Sequence, residues 1–257
     1  MSVWRALVDT TVYSSLWLAA TAAALCAAAT LALGGKIEPA SLALAAAGTL
    51  VVYNVDRLRD VERDRNTTPR RTRFVERWRR ALAGLTLAAA GAAAWLAWTL
   101  GPNVAVLLAP AAVLGLAHRR LKHVPYAKGP YVAAAWVTVS VGLPWLLAPA
   151  PRNVAWTTGL LFFAILANAL ASSVRDDEAA AARVGRARAL GWARGLAALT
   201  TLAALFAPGA ARGLLPIPGL TWLALLGFRA DERYGLVVLD GALLVGAGAS
   251  CALLASL

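Results

Sequence analysis

Soft and imidazole ligands are almost absent from this chain: two cysteines, one methionine and two histidines in 257 residues. Cys26 and Cys251 both fall inside apolar runs, which argues against a disulfide framework or a cysteine metal site. His118 and His123 have no acidic or cysteine neighbour and are given no ligand role. Acidic residues are scarce as well, 13 Asp and Glu against 25 Lys and Arg, for a formal net charge of +12. No polar or Gly/Ser-rich stretch is long enough to separate two domains, so residues 1–257 read as one membrane domain. The apolar runs are continuous rather than alternating, which argues against a transmembrane β-barrel.

What the chain does have is hydrocarbon. It is 60% hydrophobic with a mean hydropathy of +0.65, and such a composition tolerates a charge of +12 only if basic and apolar residues are segregated. They are. Apolar runs near the length of a bilayer crossing cover roughly 9–33, 38–55, 81–100, 102–117, 130–148, 153–173, 189–207, 214–228 and 234–254. The expectation is an all-α polytopic membrane protein of about nine transmembrane helices. The first run is too long for a cleavable signal and carries Asp9 ahead of it, so it is read as a span. The ten Trp suit interface anchoring.

Assigning the connections alternately to two sides places every Lys and Arg except Lys36, Arg152 and Arg212 on the side of the N-terminus. By the positive-inside rule the N-terminus is cytoplasmic and the C-terminus outside. The Ala- and Arg-rich composition suits the inner membrane of a GC-rich bacterium. The basic residues are shared among several loops, a pattern of topology and anionic-lipid attraction, not of nucleic-acid binding. No protein-partner motif stands out.

One polar stretch carries chemistry. Asp56, Asp60 and Asp64, in DRLRDVERD at the foot of the second run, are spaced i, i+4, i+8 and fall in one stripe of a helix. Carboxylates so placed repel unless a cation sits among them, and Mg²⁺ takes oxygen ligands while sharing substrate phosphates. A second acidic cluster, Asp176-Asp177-Glu178, follows the sixth run on the same side, a faint internal echo of the first. Arginines and Lys122 surround both, and Arg binds phosphate in bidentate fashion. A charged mouth beneath helices of Ala, Leu, Val and Gly suits an amphiphile with a diphosphate head and a hydrocarbon tail. A solvated helix end laced with i, i+4 ion pairs is the plainer reading of the same residues. Asn54 and Asn168, near the ends of the two motif-bearing spans, are candidate substrate contacts, though such side chains also bond neighbouring helices. Asp240, a carboxylate in the last span, is a functional candidate by its depth, with a structural bond to an arginine or backbone group as the simpler role.

The segment Asp56–Arg71, DRLRDVERDRNTTPRR, resembles the first aspartate-rich motif of the UbiA superfamily of intramembrane prenyltransferases. That motif reads Asn-Asp-x-x-Asp-x-x-x-Asp, with Pro and Arg following. Asp60 and Asp64 match its later acids, and Pro69 and Arg71 its last two positions. Asp56 stands for Asn, and Arg57 replaces the first Asp. Leu121-Lys122-His123 is similar to the family's Leu-Lys-Arg segment, and Arg175-Asp176 to the start of its second aspartate motif. That motif continues Asp-x-x-x-Asp, but here Ala180 takes the last place.

The resemblance implies a nine-helix UbiA-like bundle and a Mg²⁺-dependent transfer of a prenyl group from a prenyl diphosphate to a lipophilic, possibly aromatic, acceptor. It implies Asp56, Asp60, Asp64, Asp176 and Asp177 as metal ligands, Asp60, Asp64 and Lys122 as catalytic, and Arg70, Arg71, Lys122 and Arg175 at the diphosphate. Tyr126, with Tyr53 and Tyr131, would shelter a cation. The alternatives are a terpene cyclase that needs no acceptor, and a non-catalytic polyprenyl-lipid-binding relative, which Ala180 favours. A transporter is a weaker idea, since the spans are poor in polar residues.

Overall fold

The computed structural model describes residues 3–116 and 126–256. It is 85% helical, and no strand occurs among the described residues. The first apolar run is two helices, α1 (Val3–Tyr13) and α2 (Leu16–Ala32), bent by 69° to one another. The second is α3 (Pro39–Arg59), with Pro39 in its first turn, where a missing N–H costs nothing. A short helix α4 (Val61–Asp64) and the surface helix α5 (Pro69–Arg77) lead into α6 (Arg79–Leu100). Gly101, at φ +107, makes the sharp turn to α7 (Pro102–Leu116).

The second half begins with α8 (Lys128–Val137), which runs through a π-helical stretch (Thr138–Gly142) into α9 (Leu143–Leu147). Next come α10 (Val154–Asp176), α11 (Ala179–Val184) and α12 (Arg186–Leu205). A 3₁₀ segment (Gly209–Leu214) precedes α13 (Pro216–Leu226), and a π-helical stretch (Tyr234–Leu239) opens α14 (Asp240–Ala255).

Five helical segments are long and apolar enough to cross a membrane, six if the bent α1–α2 pair counts as one. The protein is a helical membrane protein. The expectation of nine spans goes further than those criteria allow, for physical reasons that differ by helix. Helix α3 ends in Asp56, Arg57 and Arg59, 15 residues of α7 are described, and α12 carries Arg186, Arg188 and Arg194.

Small residues set the packing. Helix α2 lies between α3 and α14, and Ala22, Ala28 and Ala29 on it are wholly buried. Gly246 of α14 meets the backbone of Ile217 so closely that a Cβ there would stand 2.8 Å from Ile217 Cα. With lipid outside there is little hydrophobic drive between helices, and such close approach supplies dispersion instead. Cys26 is buried in the cluster formed with Leu44, Ala45, Val104 and Leu143. Helix α6 is the bundle's edge, with Leu82 and Thr86 its only buried residues.

The first span was expected to be continuous over 9–33. It breaks at Ser14–Ser15, where Ser15 adopts φ 66, ψ 4. Three bonds from α3 hold the break: Ser15 Oγ donates to Asn54 Oδ1 (2.6 Å), and Arg57 Nη1 donates to the carbonyls of Val12 (3.0 Å) and Tyr13 (2.7 Å).

Candidate functional site: a charged cavity joined to an apolar slot

The ends of α3, α8, α10 and α14 enclose a cavity of about 150 Å³. Five carboxylates line it: Asp56, Asp64, Asp176, Glu178 and Asp240. Four cationic side chains face them: Arg57, Arg71, Lys128 and Arg175. Local structure explains which acids arrive there. Helix α3 stops at Arg59, and Asp60 (φ −99, ψ 15) forms the joint to α4. The i→i−4 bonds Asp60 N to Asp56 O and Asp64 N to Asp60 O persist at 2.9 Å, so Asp56 and Asp64 stay near one face. Asp60 is 3% exposed and does not line the cavity.

The second acidic cluster divides at a helix end. Asp177 takes a left-handed conformation (φ 54, ψ 40) and Glu178 is extended. Asp176 and Glu178 therefore face the cavity, while Asp177 turns out and accepts from Arg186 Nε at 3.1 Å. The exposed pairs Arg186–Asp177 and Arg65–Glu76 raise the pKa of both arginines, chiefly through the hydrogen bonds themselves. Solvated pairs of this kind add little stability. Inside, the pairing is tighter. Arg71 holds Asp64 at 2.5 Å, Arg175 grips Asp176 through Nε (2.7 Å) and Nη2 (2.9 Å), and Lys128 reaches Glu178 at 2.7 Å and Asp176 at 3.8 Å.

Three cavity residues are not among the ligands expected from sequence. Lys128, at the start of α8, ties the second acidic cluster down. Asp240 follows the π-helical turn of α14, and irregular turns of this type often mark functional positions. Arg57 is the third. Glu232, just outside the cavity, accepts the backbone N–H groups of Arg70 (3.1 Å) and Arg71 (2.7 Å). It caps α5, whose own N-cap residue Thr68 makes no side-chain cap bond. The sequence signals for these were slight: a membrane-depth carboxylate for Asp240, charge alone for Lys128, and for Arg57 its departure from the motif. Nothing pointed to Glu232.

Among the residues singled out from sequence, Tyr53, Asp56, Asp64, Arg71, Asn168, Arg175, Asp176 and Asp240 come together around the cavity. Asn168 Nδ2 donates to the carbonyl of Leu239 at 3.1 Å. Asn54 is 1% exposed, bonded to Ser15, and lines neither this cavity nor the slot beside it. Arg70 is exposed, and Tyr126, at φ 62, is 51% exposed. Lys122, His118 and His123 lie outside the described residues.

Beside the charged cavity runs an apolar slot of about 360 Å³ between α3, α6, α7 and α8. Its walls include Leu44, Gly48, Ala97, Leu108, Ala112 and Val139. Tyr53, Asp56, Val132 and Trp136 line both spaces. Trp136 Nε1 donates to Tyr53 Oη at 2.9 Å, and the rings meet edge to face with centroids 6.1 Å apart. Tyr131 also faces the slot.

The fit of a divalent cation follows from this donor set. Among the described residues no three His, Cys, Asp or Glu side chains stand close enough to hold a metal. The donors are hard oxygens, however, and Mg²⁺ is usually held by one or two carboxylates with phosphate oxygens completing its shell. Among the described residues the lining holds five carboxylates and four cationic groups. Of the metal ligands expected from sequence, Asp56, Asp64 and Asp176 line the cavity. No protein-family model, curated protein or solved structure matches this chain.

Proposed function

We propose that the chain is a Mg²⁺-dependent intramembrane prenyltransferase of the UbiA type, crossing a bacterial inner membrane nine times with its N-terminus and active site at the cytoplasmic face. One observation carries the reading: a cavity lined by acids and cationic groups shares a wall with an apolar slot. An amphiphile with a phosphorylated head and a hydrocarbon tail matches both spaces at once.

Arg71, Arg175 and Lys128, with Lys122, bind the diphosphate oxygens. The tail lies in the slot, which excludes water from the reacting carbon. The C–O bond breaks with its electron pair leaving on the diphosphate. A carbon of the acceptor then bonds to the prenyl C1, and the acceptor loses a proton to a carboxylate. A bound Mg²⁺ supplies neutralisation of the charge growing on the leaving group. Asp56, Asp64 and Asp176 would hold that cation, and release of Arg71 from Asp64 and of Arg175 from Asp176 toward phosphate is part of binding.

A terpene cyclase is the second reading. It is favoured by the Tyr53–Trp136 pair at the boundary, where ring faces would stabilise positive charge on the tail. Labelled C10, C15 and C20 prenyl diphosphates, given to purified protein in lipid with Mg²⁺ or EDTA, with and without lipid-soluble acceptors, test both. Mg²⁺-dependent product abolished in Asp64→Asn establishes an enzyme. A requirement for acceptor separates transferase from cyclase. Absence of product from folded protein leaves the polyprenyl-lipid-binding reading.

A further inference from the structure

Three of the four cationic side chains around the charged cavity are neutralised by a carboxylate: Arg71 by Asp64, Arg175 by Asp176 and Lys128 by Glu178. Arg57 differs. It is 5% exposed, lines the cavity, and makes no ion pair among the described residues. Its Nη1 is committed to the carbonyls of Val12 and Tyr13, and its buried Nε–H has no acceptor. Asp56 and Asp240 act on it from beyond ion-pair distance. Burial of an unneutralised charge is costly, and a buried donor without an acceptor is rare enough to need a cause. An oxyanion in the cavity, which Arg57 lines, offsets the cost of the charge.

We propose that Arg57 is an anion-binding residue that takes a phosphate oxygen of the ligand directly, with no cation between them. This rests on the diphosphate reading of the site and adds to it. At the position where the resemblance has an acid, this chain carries the opposite charge. Part of the head-group affinity therefore belongs to a fixed guanidinium and survives removal of the metal.

The test is binding of inorganic pyrophosphate to the full chain in nanodiscs, by calorimetry, with Mg²⁺ and with EDTA. Wild type should bind in both, more weakly in EDTA. Arg57→Gln and Arg57→Lys should lose the EDTA-resistant binding by about tenfold or more, the range of one charge-assisted bond. Arg57 also holds the α1–α2 bend, so melting curves accompany each variant. Lysine keeps a charge and a donor for the two carbonyls while removing the guanidinium fork. Ser15→Ala loosens the same bend without touching the cavity and should bind as wild type. Unchanged EDTA-resistant affinity in both Arg57 variants overturns the proposal, as does an equal loss in Ser15→Ala. Failure of wild type to bind pyrophosphate even with Mg²⁺ removes the diphosphate reading itself, and the role of Arg57 with it.

Discussion

Asp176 and Asp177 are neighbours with opposite fates, and the reason is one residue's backbone. The helix ends between them, and the left-handed turn at Asp177 sends its carboxylate to solvent. Sequence placed three consecutive acids here, about 100° apart on a helix, but could not say where the helix stops. Asp176→Asn should raise the Mg²⁺ concentration needed for pyrophosphate binding by about tenfold, the loss of one charged ligand contact. Asp177→Asn should cost far less, since its exposed pair is worth under about 1 kcal/mol. Calorimetry with both variants decides this. Gly235 makes a second case. A Cβ there would stand 2.6 Å from Arg175 Nη1 and 2.8 Å from its Cδ. Gly235→Ala should push the guanidinium off Asp176, lowering stability by about 1–3 kcal/mol as overpacking does, measured by thermal melting in detergent. No pattern in the sequence announces that contact, because its partner lies 60 residues away in the chain.

Among the elements, apolar runs located the helices well: the expected 38–55, 81–100 and 153–173 are the bodies of α3, α6 and α10. The break between α1 and α2 was not legible. Its cause is the trio of bonds from Asn54 and Arg57, and continuous hydropathy hides a bend enforced from another helix. The latch on α5 was hidden for the same reason. Glu232 satisfies two first-turn N–H groups of a helix that begins 163 positions earlier at Pro69, and so fixes the backbone from which Arg71 reaches Asp64. Glu232→Ala should cost about 1–2 kcal/mol, the worth of a good cap. Hydrogen exchange at the Arg70 and Arg71 amides should rise in that variant while the helix cores stay protected.

For the molecule as a whole, segregation of charge was the clearest message of the sequence, because lipid enforces it on every loop. The all-helical membrane character follows from it and is what the structure has. The count of crossings is harder, since short or arginine-bearing helices such as α7 and α12 depend on neighbours to enter the bilayer. Cysteine labelling resolves it. In a Cys251→Ser background, with Cys26 buried, Lys36→Cys and Arg212→Cys should react with an impermeant maleimide added outside cells. Arg73→Cys should react only after lysis. Reaction of Lys36→Cys and Arg212→Cys on opposite sides would refute the nine-crossing topology.

The slot has a further property that bears on which tails it accepts. Ala105, Ala109 and Ala112 of α7 form part of its wall and are also exposed on the outside of the bundle. Along that flank the described residues leave the slot open. In the proposed function, a tail too long for 360 Å³ would meet acyl chains of about its own polarity along that flank. Selection among C10, C15 and C20 substrates would then fall to the bilayer, through how much of each diphosphate it concentrates at its surface.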